Sequence, residues 1–197
     1  MTKIIGITGG IAMGKSTVAK QFAQFGANVS NADDIVHALL AKGGEAVEEV
    51  KQYFPSTIID GAVDRRKLGE IVFADVDKRK KLESILHPMV AFQELSFIEE
   101  ETNKGAKMAI LDIPLLFETG ADTRCDVTVT VSAPLWIQRR RAMKRPHMTK
   151  EKLEHIIAMQ MSDAEKRKRA DFIVQTGFGK AYSFWQVNQI VRKLNVT

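Results

Sequence analysis

Cysteine is nearly absent from the 197-residue sequence, since Cys125 is the single one and has no partner for an intramolecular disulfide. Long apolar runs are also lacking, and no stretch approaches the roughly 18 residues that a transmembrane helix needs. The N-terminus, "MTKIIGITGG", turns glycine-rich after one lysine and lacks the apolar core of a signal peptide. These features predict a cytoplasmic protein that needs no membrane partner, with Cys125 as a small core residue.

Charge is unevenly distributed. The formal net charge is +5 and the pI is near 9.3, which favours anionic partners. Much of the excess lies in "RRRAMKR", residues 139–145. Such a block in a globular chain is typical of a phosphate-binding lid or a nucleic-acid patch, and it is also compatible with a solvated helix face.

Short β-branched segments alternate with helical patterns along the chain. This alternation predicts an α/β fold of three layers, αβα, around a five-stranded parallel sheet. The predicted strands are Lys3–Thr8, Asn28–Asn31, Met108–Ile113, Asp126–Val131 and Phe172–Gln175.

Two insertions interrupt this pattern. The connection between the second and third strands is too long for a structureless loop, and its helical patterns predict a separate helical subdomain. We predict a nucleotide-binding core of residues 1–33, 105–135 and 155–197, a helical domain of residues 34–104 that binds the phosphate acceptor, and a lid of residues 136–154.

The first strand leads into a glycine-rich loop. "GGIAMGKST" matches G-x-x-x-x-G-K-[ST] between a predicted strand and a predicted helix, the context in which this motif binds nucleotide phosphates. Lys15 is expected to reach the β- and γ-phosphates of ATP, and the Ser16 hydroxyl to ligate Mg²⁺. The residues predicted to bind the nucleotide are Gly10, Ile11, Ala12, Met13, Gly14, Lys15, Ser16 and Thr17.

Other motifs favour a small-molecule kinase over a GTPase. The single Asn-Lys pair continues "NKGA" and not as a guanine-reading motif, and no Asp-x-x-Gly switch follows the third strand. A kinase needs a carboxylate near the acceptor and cations around the transferred phosphate. Asp33, after the second strand, is a candidate general base, although it or Asp34 could instead cap the following helix. Arg141 and Arg145, four residues apart, are predicted to share one helix face of a phosphate-closing lid.

Taken together, several stretches give the sequence a resemblance to the dephospho-coenzyme A kinase family. They are "GITGGIAMGKSTVA", "NADDIVHALL", "DRRKLGEIVF", "LHPMV", "LDIPLLFETG", "VTVTVSAPLWIQRRRAMKR" and "EKRKRADFIV". Only the first is a general motif, but their order and spacing are highly specific. The resemblance implies transfer of the ATP γ-phosphate to the ribose 3′-hydroxyl of dephospho-CoA, the last step of coenzyme A synthesis.

The resemblance also implies roles for individual residues. Asp33, Lys15 and Arg141 are expected to be catalytic, and Arg145 to bind the nucleotide. The residues expected to meet the acceptor are Thr8, Asp33, Arg65, His87, Leu115, Leu116, Glu118 and Arg141. Considered alone, Leu115 and Leu116 are equally compatible with ordinary core positions. Asp112 is placed where related kinases hold a carboxylate that organises Mg²⁺.

Four positions depart from the family pattern in three ways. Ala12 and Met13 replace smaller loop residues, Asn31 replaces an aspartate, and Thr176 stands where the family has an asparagine that approaches adenine. The last change predicts altered recognition of the nucleotide base.

Two alternative functions remain. A nucleoside or nucleoside-monophosphate kinase would use the same core, but the insertion of roughly 65 residues is large for such an acceptor. A nucleic-acid-binding P-loop ATPase would need a wider basic stripe or stacking aromatics. We therefore expect dephospho-CoA as the partner, no nucleic acid, and a monomer or weak homo-oligomer.

Overall fold

The computed structural model describes residues 1–146 and 148–195. In chain order the strands and helices are β1 Lys3–Thr8, α1 Lys15–Ala23, β2 Asn28–Asn31, α2 Ala32–Leu40, α3 Val47–Tyr53, β3 Ile58–Ile59, β4 Ala62–Val63, α4 Arg65–Ala74, α5 Val76–Asn103, β5 Met108–Asp112, β6 Val127–Ser132, α6 Leu135–Ala142, α7 Lys150–Met159, α8 Asp163–Arg169, β7 Phe172–Gln175 and α9 Lys180–Lys193. The chain divides into two compact units. Unit 1 contains residues 1–30 and the described residues from 98 to 195, and unit 2 contains residues 31–97.

A five-stranded parallel sheet in the order β2-β5-β1-β6-β7 is the centre of unit 1. Its middle strand, β1, pairs Ile5 with Ile110 of β5 on one side and Ile7 with Val129 of β6 on the other. β5 and β6 are buried along their whole length. Strands buried in this way must be covered on both faces, which explains their nearly continuous apolar or β-branched sequences. The predicted α/β fold is confirmed.

Helices supply the rest of the core of unit 1. α1 buries Val18, Ala19 and Phe22, and α9 buries Val187 and Val191. These side chains join the sheet residues in one apolar cluster. α1 ends at Ala23, where the chain turns, and Gly26 adopts a φ of 88°.

Unit 2 has a hydrophobic core of its own. Leu39, Val50, Phe54, Leu68 and Leu86 are among its buried residues. A separate core is what a domain-sized insertion requires, since a loop of this length could not bury its backbone polar groups. Pro88 lies inside the long helix α5.

A small antiparallel hairpin in unit 2 was not predicted. β3 and β4 pair Ile58 with Val63, and the two residues between the strands, Asp60 and Gly61, have φ angles of 50° and 78°. An Asp-Gly pair between short apolar segments is the signal for this turn, and the strands were too short for a pattern to stand out.

The structure bears on the lack of long apolar runs and on the single cysteine. No helix among the described residues is long and apolar enough to cross a membrane. Cys125 is half-buried and not a fully buried core residue, and its thiol lies 3.7 Å from the carbonyl oxygen of Ala121.

Candidate active site

The glycine-rich loop follows β1 directly, and two of its glycines are required by the backbone. A Cβ on Gly9 would lie 2.6 Å from the carbonyl oxygen of Val131, which cannot move without breaking the sheet. Gly14 has a φ of 98° and is the N-cap of α1. Gly14 offers no capping side chain, and among the first-turn N–H groups that of Thr17 donates to the Gly14 carbonyl oxygen at 3.0 Å. The positive end of the α1 dipole remains available to an anion.

Lys15 is held by a buried carboxylate. Its Nζ lies 2.6 Å from Oδ1 of Asp112, whose side chain is 1% exposed. Asp112 ends β5, and β5 pairs with β1, so the sheet itself brings the lysine and its partner together. Lys15 is therefore oriented before any phosphate binds.

Two glutamines clamp the loop at Ile11. Gln138 in α6 donates from Nε2 to the Ile11 carbonyl oxygen at 3.0 Å, and the Ile11 N–H donates to Oε1 of Gln160 at 3.1 Å. The peptide groups of Ile11 are thus occupied by protein partners. Neither glutamine was singled out in the sequence, because an isolated Gln in a helical segment carries no recognisable signal.

Ala12 and Met13 occupy the free positions of the motif in different ways. Ala12 has a φ of 59°, a left-handed conformation that costs a non-glycine residue about 1–2 kcal/mol. Met13 is 3% exposed and packs in the core of unit 1. The unusual residues therefore leave the loop folded.

Thr176 joins the loop to the basic helix α6. Its hydroxyl donates to the Met13 carbonyl oxygen at 2.6 Å and accepts from Nη1 of Arg141 at 2.9 Å. The Thr176 carbonyl oxygen accepts from Nη2 of Arg141 at 2.8 Å. From the sequence, Thr176 in place of asparagine was expected to alter recognition of the nucleotide base; in the structure its hydroxyl links Arg141 to the loop.

Beside this junction lies a cavity of about 240 Å³, lined by Gly14, Thr17, Arg141, Thr176 and Gly179 among others. Arg145 does not share a helix face with Arg141, because α6 ends at Ala142 and Arg145 lies in the exposed turn beyond it. The predicted shared face is therefore wrong, while Arg141 lies beside the loop.

Two of the residues predicted to meet the acceptor from unit 1, Thr8 and Glu118, contact a buried lysine that was missed. Thr8 is fully buried, and its hydroxyl donates to the Pro114 carbonyl oxygen at 2.9 Å. Nζ of Lys166, at 0% side-chain exposure, lies 2.9 Å from Oε1 of Glu118, whose own side chain is 19% exposed. Burial is the main cause that lowers the pKa of Lys166, and the Glu118 carboxylate opposes it. Lys166 looks in sequence like its solvated neighbours Arg167, Lys168 and Arg169.

The two leucines of the "DIPLLFE" segment lie in different surroundings. Leu116 is 0% exposed and contacts the backbone at Gly6, where an added Cβ would lie 3.1 Å from its Cδ2. Leu115 is half-buried. In this structure Leu116 occupies a core position, and Leu115 is the more accessible of the pair.

The site residues predicted in unit 2 are all exposed: Asp33, Arg65 and His87. Asn31 is the N-cap of α2, because its Oδ1 accepts from the N–H groups of Asp33 at 2.9 Å and Asp34 at 3.3 Å. Neither aspartate is the cap, contrary to the alternative considered from sequence. Asparagine and aspartate cap about equally well, so the family's aspartate can be replaced here without loss of the cap.

Metal binding was expected at Ser16. Ser16 is exposed in the first turn of α1. Within residues 1–146 and 148–195, no group of three or more His, Cys, Asp or Glu side chains is arranged to hold a metal ion. A hydroxyl at the phosphate loop is nevertheless a donor suited to Mg²⁺, a hard cation that takes most of its ligands from phosphates and water.

The sheet, the loop after β1 and the lysine at the start of α1 define a member of the P-loop kinases. A profile of the dephospho-CoA kinase family matches residues 3–179. A dephospho-CoA kinase from Rhizobium etli is 47% identical over 192 residues, which cover 98% of this chain and 94% of that protein. The chain belongs to the dephospho-CoA kinase family.

Solved structures agree with this relationship. The crystal structure of TT1252 from Thermus thermophilus is 36% identical with a TM-score of 0.83, covering 98% of this chain and 97% of that one. Dephospho-CoA kinase from Campylobacter jejuni is 26% identical with a TM-score of 0.73, covering 98% of each chain.

Proposed function

We propose that the protein is an ATP-dependent kinase that transfers the γ-phosphate of ATP to the ribose 3′-hydroxyl of dephospho-CoA. The observation that carries the proposal is the family match, which extends over both units and includes the phosphate loop. The oriented Lys15 and the positive end of the α1 dipole support it, since phosphoryl transfer depends mainly on positioning and electrostatic stabilisation.

In this proposal the residues of unit 1 hold the phosphates. The loop from Gly10 to Thr17 would contact them through its remaining N–H groups. The Lys15 ammonium would either leave Asp112 to bind the β- and γ-phosphates or contact Asp112 and the phosphates together. Arg141, already beside the loop, would offset the charge that develops during transfer. Ser16 would hold Mg²⁺, which would supply positive charge to stabilise the transferred phosphate.

The acceptor roles follow from the family motifs. Asp33 is proposed as the general base for the 3′-hydroxyl, and its exposure leaves the carboxylate accessible. Arg65 and His87, exposed basic or titratable residues of unit 2, are proposed to bind the acceptor. From unit 1 we propose Leu115 as a wall of the acceptor pocket, and the buried Thr8 and Leu116, together with Glu118, as its supports.

The test is ADP release measured by a coupled assay over a panel of acceptors. We expect turnover that requires both Mg²⁺ and dephospho-CoA, with little on AMP, adenosine or DNA. Turnover on AMP with none on dephospho-CoA would instead identify a nucleoside-monophosphate kinase. Stimulation by DNA alone would favour the nucleic-acid ATPase.

A further inference from the structure

Lys166 is the one member of a basic run that faces inward. The sequence "KRKR" ends α8, and Arg167, Lys168 and Arg169 are exposed, whereas the Lys166 side chain is 0% exposed. Lysine is almost never fully buried unless it is paired, so each such case needs a reason.

Three acceptors surround the ammonium group. Nζ lies 2.8 Å from the Pro114 carbonyl oxygen, 3.3 Å from the Thr8 hydroxyl and 2.9 Å from Glu118 Oε1. An ammonium has three protons to donate, and here each has a partner. The Thr8 hydroxyl gives its own proton to Pro114, so it meets Lys166 as an acceptor.

These partners belong to segments that carry the proposed chemistry. Thr8 is the last residue of β1, immediately before Gly9 of the phosphate loop. Pro114 lies two residues after Asp112, the partner of Lys15. Glu118 also accepts from the N–H of Met161 at 2.9 Å, next to Gln160, which clamps Ile11.

Electrostatics link the two lysines as well. Lys15 is among the causes that lower the pKa of Lys166, while Glu118 raises it.

Stability alone does not account for this arrangement. Replacement of a buried ion pair by well-packed apolar side chains of similar volume is often neutral or stabilising. Its retention beneath a phosphate loop needs a further reason, and the contacts with Thr8, Pro114 and Glu118 supply one.

We propose that Lys166 is a positioning residue for phosphoryl transfer, which fixes the start of the phosphate loop, the turn after Asp112 and Glu118 in one arrangement and adds a positive charge beneath them. This role rests on the proposed kinase function. Lys166 acts through its neighbours and through its charge, and it makes no contact with substrate in this proposal.

The test compares the full-length wild-type protein with Lys166→Met combined with Glu118→Gln. The double substitution removes both charges, keeps an acceptor for Met161 and conserves side-chain size, so we expect a folded protein with a thermal midpoint close to that of wild type. We expect kcat to fall about 10- to 100-fold, the range found when residues that orient metal ligands are replaced, with little change in the KM of ATP. Glu118→Gln alone keeps Lys166 and should lose less.

Lys168→Met is the matched control, because Lys168 lies in the same helix and is exposed. It should behave as wild type. If the double variant does not fold, Lys166→Gln with Glu118→Gln replaces it, since the amide keeps two N–H donors for Thr8 and Pro114 while the charge is lost. If either double variant folds and keeps the wild-type kcat, the proposal is overturned. It is also overturned if kcat falls only in proportion to the fraction of the variant that is folded.

A second measurement, of ATP hydrolysis without an acceptor, distinguishes a failure of this proposal from a failure of the proposed function. Hydrolysis of ATP by water uses the same phosphate site without an acceptor, and it should fall by a similar factor in the double variant. A wild-type protein with no turnover on dephospho-CoA overturns the proposed function. Hydrolysis that still depends on Lys166 would then support the positioning role by itself, and hydrolysis that does not depend on it would overturn that role.

Discussion

Unit 1 and unit 2 use charged side chains in different ways. Unit 1 buries Asp112, Glu101 and Lys166, and each has a charged or hydrogen-bonding partner. In unit 2 the aspartates that cap helices, Asp64 and Asp75, lie near the surface, and Glu94 is its buried carboxylate. Burial fixes a charge in place, whereas exposure leaves it free to meet a ligand. The difference indicates that phosphate binding is built into unit 1 in advance, while unit 2 offers accessible groups.

The substitution with the largest expected effect tests the exposed side of this comparison. Asp33→Asn should reduce kcat about 10²- to 10⁴-fold, the usual range for a general base, while ATP affinity and the thermal midpoint change little. Stability should be retained because Asp33 is exposed and Asn31, not Asp33, caps α2. Kinetics with purified protein, isothermal titration with ATP and thermal unfolding provide the three readings.

Asp34→Asn is the matched control for that substitution, since Asp34 is also exposed in the first turn of α2. It should keep most of the turnover. If Asp33→Asn weakens ATP binding strongly in a folded protein, Asp33 is a nucleotide or metal ligand and the assignment as base fails.

The buried side of the comparison can be tested at Glu101. Its side chain is 2% exposed and accepts from Asn28 at 2.6 Å, and this hydrogen bond is the main cause that lowers the pKa of Glu101 below its ordinary value of 4.5. Asn28→Ala should therefore reduce the free energy of unfolding at pH 7 by about 1.5–3 kcal/mol, as expected for a hydrogen bond to a charged group.

The pH dependence of that loss has a definite sign. A carboxylate whose pKa is lowered by folding adds stability above its unfolded pKa, and this stability disappears as the pH falls through the lowered folded pKa. Asn28→Ala should thus cost most near neutral pH and least in acid, as urea unfolding at several pH values would reveal. An equal loss at all pH values would show that the hydrogen bond does not act through the charge. Asp75→Asn, at an exposed cap, should have a smaller effect.

The sequence predicted the backbone arrangement better than the pairing of side chains. The strands of unit 1 could be found because residues buried on both faces must be apolar or β-branched, as in "KIIGIT" and "MAILD". The loop motif could be found because its glycines meet a steric requirement, as Gly9 does against Val131. Such local constraints determine which residue types a short segment can contain, so they can be recognised from the sequence.

The missed features depend on contacts between distant residues. Lys166 meets Thr8 across 158 positions, and Gln138 meets Ile11 across 127. A lysine in a basic run, or a glutamine in a helix, has the same local pattern whether it is buried or solvated. The predicted helix face shared by Arg141 and Arg145 was wrong for a different reason. The charge pattern does not mark the end of α6 at Ala142.

The smallest expected effect compares two residues with the same backbone conformation, one in each unit. Ala12 in the phosphate loop and Asp60 in the β3–β4 turn have φ angles of 59° and 50°. An alanine side chain forms no interaction that offsets the cost of the left-handed conformation. Aspartate tolerates this conformation because its short polar side chain can hydrogen-bond locally. Glycine avoids the penalty of about 1–2 kcal/mol but loses about 0.5–1 kcal/mol through the entropy of the unfolded chain. Ala12→Gly should therefore raise the free energy of unfolding by up to about 1.5 kcal/mol without nucleotide, and Asp60→Gly by less. Urea unfolding of the two variants would measure the difference, and a larger gain at Asp60 would show that the aspartate is the more strained of the two.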